Sequence, residues 1–172
     1  MFYEVERMLE RGDRVILTGL KGTGKSTLIS KLSGKFNSFR SMWYCSQYTS
    51  KELLDKYQLF DRCNYIDRYA FQYHTEDALD ICIENFKDEF KDTYVVLMLY
   101  DKWCQLRDYK NEFSDLNRRK EVIYRFLRIT SKLYREGIIK GLVVNTHTGW
   151  WSTDYADIDT IEESVTEEYL NG

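Results

Sequence analysis

The residues of this chain best suited to chemistry are Gly19, Leu20, Lys21, Gly22, Thr23, Gly24, Lys25 and Ser26, followed by Thr27. As a pattern they read G-x-x-x-x-G-K-S, and each type answers a need of a bound polyphosphate. Gly19, Gly22 and Gly24 let the backbone bend until successive N–H groups point inward, a nest for anionic oxygens. Lys25 can set a cation against β- and γ-phosphates, and the Ser26 hydroxyl can ligate Mg²⁺. A second candidate group is Asp67-Arg68, with Tyr69, Phe71, Gln72 and Tyr73 close behind. Phosphoryl transfer needs a carboxylate and an arginine near the reacting oxygens. Arg107, Lys110, Arg118, Arg119 and Lys120 form a further cationic group.

These side chains need elements to hold them. Val15, Ile16 and Leu17 form a short β-prone run before the glycine loop, and Leu28, Ile29 and Leu32 recur at helical spacing after it. The positive end of that helix faces the same anion. Residues 2 to 11 read as a helix with Phe2, Val5 and Leu9 on one face, residues 34 to 38 as a turn, and residues 41 to 45 as a second strand. Ser50 is a cap for the segment around Glu52-Leu-Leu-Asp55. A third strand is expected to end in Asp67-Arg68, before a helix with Ala78, Leu79, Cys82, Ile83 and Phe86 on its apolar face. In open α/β sheets ligands bind beyond the carboxyl ends of the strands, where a strand-end Asp-Arg would face bound phosphates.

Thr93 to Tyr100 reads as a buried parallel strand ending at Asp101, which is either a metal ligand or a plain polar terminus. Residues 105 to 137 are charged and largely helical. Val122, Ile123, Phe126, Ile129 and Leu133 make a packing stripe, whereas the more exposed stretch of about 105–121 suits a lid that brings arginines over transferring phosphates. Gly141 to Asn145 gives the last strand, and residues 146 to 152 a loop suited to a nucleotide base, with Asn145 or Thr146 as polar contacts. The tryptophans in that loop serve either there or as cover for the core edge. An acidic helix spans residues 157 to 170, and the lone His74 and His147 read as structural or surface residues.

The chain of 172 residues suits one domain, 1–172, and its 43% hydrophobic and 31% charged residues are a globular composition. A net charge of −3 argues against a general nucleic-acid binder. No apolar run is long enough to cross a bilayer, and Met1-Phe-Tyr-Glu-Val-Glu lacks the form of a signal peptide, so a soluble cytoplasmic protein is expected. Cys45, Cys63, Cys82 and Cys104 show no C-x-x-C spacing and are expected as free thiols. With no proline in the chain, turns must rest on Gly, Asn, Asp and Ser.

The order of these features resembles the thymidylate-kinase-like branch of the P-loop nucleoside and nucleotide kinases. Gly19 to Ser26 matches its phosphate loop, and Asp67-Arg68-Tyr69 resembles its Asp-Arg-Tyr element, which meets both magnesium and the acceptor. Arg107 falls where the family carries a first lid arginine, and Arg119-Lys-Glu121 with Phe126 and Tyr134 resembles its lid-to-helix pattern. The resemblance implies a three-layer α/β domain, a five-stranded, mainly parallel sheet ordered 2-3-1-4-5, and a helical lid. It also implies ATP and Mg²⁺ as cofactors, a nucleoside or nucleotide as acceptor, and a homodimer. In that reading Lys25, Asp67, Arg68 and a lid arginine (Arg107, Arg118 or Arg119) are catalytic, and Ser26 and Asp67 meet the metal. Tyr69, Phe71, Gln72 and Tyr73 read the acceptor base. The chain is shorter than most members, as compact phage and other viral versions are, and some of those act on modified bases within DNA. Two rivals follow: a kinase of a polynucleotide end or modified DNA base, and a P-loop ATPase or NTP-binding regulator with Asp101 as metal ligand.

Overall fold

The computed structural model describes residues 3–40, 50–72, 75–99 and 116–170. In chain order the elements are α1 (Tyr3–Glu10), β1 (Val15–Gly19), α2 (Lys25–Leu32), β2 (Ser38–Arg40), α3 (Ser50–Lys56), β3 (Leu59–Asp61) and α4 (Asn64–Phe71). There follow α5 (Glu76–Phe90), β4 (Tyr94–Met98), α6 (Leu116–Arg135), β5 (Gly141–Thr146), β6 (Gly149–Ser152), α7 (Ile158–Val165) and a closing π-helical turn (Thr166–Leu170).

The apolar run of β1 is buried at every position because the strand lies inside the sheet. Its side chains alternate between two cores. Val15 and Leu17 pack with Val5, Met8 and Leu9 of α1 and Leu28, Ile29 and Leu32 of α2. Ile16 points to the opposite face, with residues of α4, α5, α6 and α7. The result is a three-layer α/β fold with helices on both sides. β1 pairs in parallel with both β3 and β4, β2 with β3, and β4 with β5.

The expected parallel order 2-3-1-4-5 is present, with an added sixth strand: the full order is β2-β3-β1-β4-β5-β6. β6 is antiparallel to β5, so residues 149–152 are a strand where the sequence suggested only loop. The β-prone pair Trp150-Trp151, one tight connection away from β5, explains the hairpin.

Two further boundaries move. β2 begins at Ser38, at the end of the expected turn; the stretch 41–45 read as a strand lies outside the described residues. The third strand ends at Asp61, and Asp67-Arg68 lies inside α4. Ile66, Tyr69 and Ala70 recur at helical spacing and are buried together, which settles that segment as helix. α1, α3 and α6 match the expected segments within their described residues.

Candidate active site

β1 delivers the chain to the carboxyl edge of the sheet at Gly19, whose φ of +125° is in glycine's range. A Cβ there would lie 2.2 Å from the Met98 carbonyl oxygen, so the approach of β1 to β4 requires glycine on steric grounds too. Gly22 (φ 76°) and Gly24 (φ 92°) are also left-handed, and they turn the loop sharply into α2. Gly24 is the N-cap of α2 and supplies no side-chain cap. With no side-chain cap in place, the N–H groups of the first turn are suited to an anion.

Within the loop, Thr23 Oγ1 donates to the Leu20 carbonyl at 2.8 Å. Lys25, only 6% exposed, donates from Nζ to the Leu20 carbonyl and lies 3.5 Å from the Gly19 oxygen. Its charge is therefore folded over the loop itself. Lys21, Ser26 and Thr27 are exposed, and Leu20 is buried.

A second cluster braces the root of the loop. Asp67, 1% exposed, accepts from Thr18 Oγ1 at 2.6 Å and from Arg62 Nη1 at 3.3 Å. The same Arg62 nitrogen donates to the Gly19 carbonyl at 3.1 Å. Arg62 has a φ of 74°, uncommon for a residue with a Cβ. Burial pushes the Asp67 carboxyl above its usual range, opposed by Arg62, by the Thr18 hydrogen bond and by Lys25. Nearby Asp61 adds to the upward shift.

The structure therefore separates two Asp-Arg pairs. Asp61-Arg62 stands at the carboxyl end of β3 and reaches the loop. In the other pair, Asp67 faces β1, whereas Arg68 is close enough to Tyr65 and Cys82 to lower both against burial and so lies toward α5. Asp61, Arg62 and Thr18 were not among the sequence candidates. The signal was available in Leu59-Phe60-Asp61-Arg62, a short apolar run ending in the required dipeptide.

Among the acceptor candidates, Tyr69 is 4% exposed, and Phe71 packs edge-on to Phe126 with ring centroids 5.2 Å apart. Gln72 is exposed at the end of α4. Arg118 Nη2 donates to the Phe71 carbonyl at 2.6 Å, and Arg125 Nε to the Ala70 carbonyl at 2.8 Å. The two arginines satisfy the last carbonyls of α4 and complement its negative end. Arg119, beside Arg118 on α6, is partly buried. Tyr73, Asp101 and Arg107 lie outside the described residues.

Sheet register places Gly19 opposite Met98, Met98 opposite Asn145, and Asn145 opposite Trp150, one row along the carboxyl edge. Two strand spacings of about 4.8 Å separate Gly19 from Asn145. Asn145 and Thr146 are both buried, and the Asn145 side-chain oxygen has no hydrogen-bond partner among the described residues. Also among these residues, no group of three or more His, Cys, Asp or Glu could hold a metal by itself, and no helix is long and apolar enough to cross a membrane.

No protein-family model matches the chain, and no curated protein matches it. A solved structure to which it is similar is the YorR protein of Bacillus subtilis in complex with phosphorylated GDP. The two share 21% identity over 88% of this chain and 92% of that one, with a TM-score of 0.47.

Proposed function

We propose that this chain transfers the γ-phosphoryl group of ATP to a hydroxyl or phosphate of a nucleoside or nucleotide, as the resemblance to thymidylate-kinase-like enzymes suggests. The carrying observation is the Gly19–Ser26 loop, with three left-handed glycines and the Lys25 ammonium folded over it, braced by Arg62 and Asp67.

The loop amides and Lys25 hold the β- and γ-phosphates, where their charge stabilises the oxygens on which negative charge develops. The residues also fit magnesium. Ser26 is exposed on the first turn of α2, where its hydroxyl can contribute one oxygen to an ion held mainly by the phosphates. Bound Mg²⁺ would supply neutralisation of the negative charge on the phosphates, with the Ser26 hydroxyl as the group that would hold it from the protein side. Asp67, nearly sealed from solvent, works through Thr18 and Arg62; Asp61, half-buried at the end of β3, is the carboxylate better placed to orient an attacking group. Arg62 supplies the arginine that the sequence assigned to Arg68. Arg118, at the start of α6, and Arg125, further along it, fix the acceptor side through the end of α4.

The test is transfer of radiolabelled γ-phosphate in the presence of Mg²⁺ to nucleosides, nucleoside monophosphates, and duplex or single-stranded DNA with ordinary or hydroxymethylated bases. Label on a monomeric acceptor is the expected result. Label on DNA alone would move the acceptor to a polynucleotide, and label released only as free phosphate would replace the kinase by an ATPase. Lys25→Ala should lower turnover by a few hundredfold, about 3 to 4 kcal/mol in the barrier. A loss below tenfold would break the assignment.

A further inference from the structure

The closing turn of the chain reaches back to the sheet edge at one place. Glu168, in the π-helical segment, has a side chain 9% exposed, and its two oxygens meet two donors of Thr148 and a ring nitrogen of His147 in the β5–β6 connection. Thr148 N–H donates to Oε1 at 3.2 Å, Thr148 Oγ1 donates to Oε2 at 3.1 Å, and His147 Nδ1 lies 2.7 Å from Oε1. Thr148 Oγ1 in turn stands 3.1 Å from Thr146 Oγ1. A hydrogen-bonded path therefore runs from Glu168 through Thr148 to Thr146, the neighbour of Asn145 with its buried, unpartnered oxygen. π-Helical turns recur at functional sites, and this one carries Glu168.

We propose that Glu168 is a positioning residue for the base end of the nucleotide site: it pins the His147-Thr148 tip so that Asn145 and Thr146 are presented in one fixed geometry. This rests on the reading of the Gly19–Ser26 loop as a nucleotide site. The contact is separate from phosphate binding, because Gly19 and Asn145 belong to strands with β4 between them. A hairpin tip held only by its own short connection would be free to tilt; one charge-accepting clamp from another element fixes it.

The division of labour gives the test. Binding of ATP and of inorganic tripolyphosphate is measured by calorimetry for the wild-type chain and for Glu168→Ala, with Glu168→Gln as the conservative variant. Hydrogen exchange at the Thr148 amide is followed in all three. Loss of hydrogen bonds to a charged acceptor should weaken ATP about tenfold, leave tripolyphosphate unchanged and speed exchange at Thr148. Glu168→Gln, which keeps acceptor capacity, should recover part of the ATP affinity. Should Glu168→Ala fail to fold, Thr148→Val breaks the same path from the hairpin side without touching the closing turn, and should reduce ATP affinity in the same direction. Equal ATP affinity in wild type and a folded variant would overturn this inference and leave the kinase reading standing. A wild-type chain that binds neither ATP nor tripolyphosphate would overturn both.

Discussion

Asp61-Arg62 and Asp67-Arg68 are the same dipeptide six residues apart, and the fold gives them different environments. The first ends a strand, so Arg62 can reach across to the Gly19 carbonyl and the Asp67 carboxylate. The second lies on a helix that rotates its two members apart: Asp67 faces β1, and Arg68 lies toward Tyr65 and Cys82. What a charged pair does depends on the element that carries it, because a strand end projects its residues over the sheet edge while a helix distributes them around an axis. Arg62 and Asp67 thereby become partners across two elements, although each has an opposite charge as its immediate neighbour in sequence.

The strongest way to break this contrast is to remove the two arginines separately. Arg62→Ala leaves Asp67 buried without its ion pair and should cost about 3 to 5 kcal/mol in denaturant unfolding. Arg68→Ala, at a partly exposed position, should fall within about 0.5 kcal/mol of wild type. Equal losses would show that the two pairs are equivalent after all. Gly19→Ala attacks the cluster from the loop side: the new Cβ would sit 2.2 Å from the Met98 oxygen at a φ of +125°. It should destabilise the fold by roughly 1 to 3 kcal/mol and weaken tripolyphosphate binding with it. Calorimetry that found an unaltered loop would remove the steric reason given for this glycine.

Asp67→Asn sharpens the comparison through pH. Burial raises the Asp67 carboxyl from 3.8, so the folded chain keeps that proton to a higher pH than the unfolded one. As pH rises from the ordinary carboxylate value through the folded one, ionisation works against the folded state, and stability is lost; as pH falls, it returns. Asparagine retains an acceptor for Thr18 and Arg62 but cannot ionise. The stability of wild type minus that of Asp67→Asn should therefore decline as pH rises across that window, and a difference flat with pH would refute the raised carboxyl. A comparably small effect belongs to an ion pair in water. Arg135 bonds Asp159 and Glu162 at 2.6 and 2.7 Å, yet its side chain is 44% exposed, and Arg135→Ala should cost below about 1 kcal/mol.

Much of this arrangement was legible in the sequence. The glycine loop, the flanking apolar run and the stripe of α6 each rest on local spacing, and local spacing survives folding unchanged. The parallel order was available only through family resemblance, since no residue in β1 states which distant strands flank it. The misplaced third strand has a physical cause. Leu59-Phe60 is too short a run to show alternation, while Tyr65-Ile66 is β-prone in isolation and becomes helical because Ile66, Tyr69 and Ala70 can be buried on one face. Arg62 was hidden for the same reason: its partners, Gly19 and Asp67, meet only once three elements converge. Glu168 looked like one more acid in an acidic segment, because nothing near it in sequence points to the hairpin it clamps.

The central position of β1 has a bearing on how the protein is made. Val15 and Leu17 acquire their neighbours from stretches around Leu59 and Tyr94, far along the chain, and Gly19 meets Met98 later still. Such non-local pairings delay ordering until the entropy of closing long loops can be offset, whereas the β5–β6 hairpin joins sequence neighbours. On a ribosome the residues from Gly19 to Ser26 emerge before β3, α4 and β4, which bring Arg62, Asp67 and the strand that packs on Gly19. A nascent chain carries the glycine motif well before it carries the braced loop.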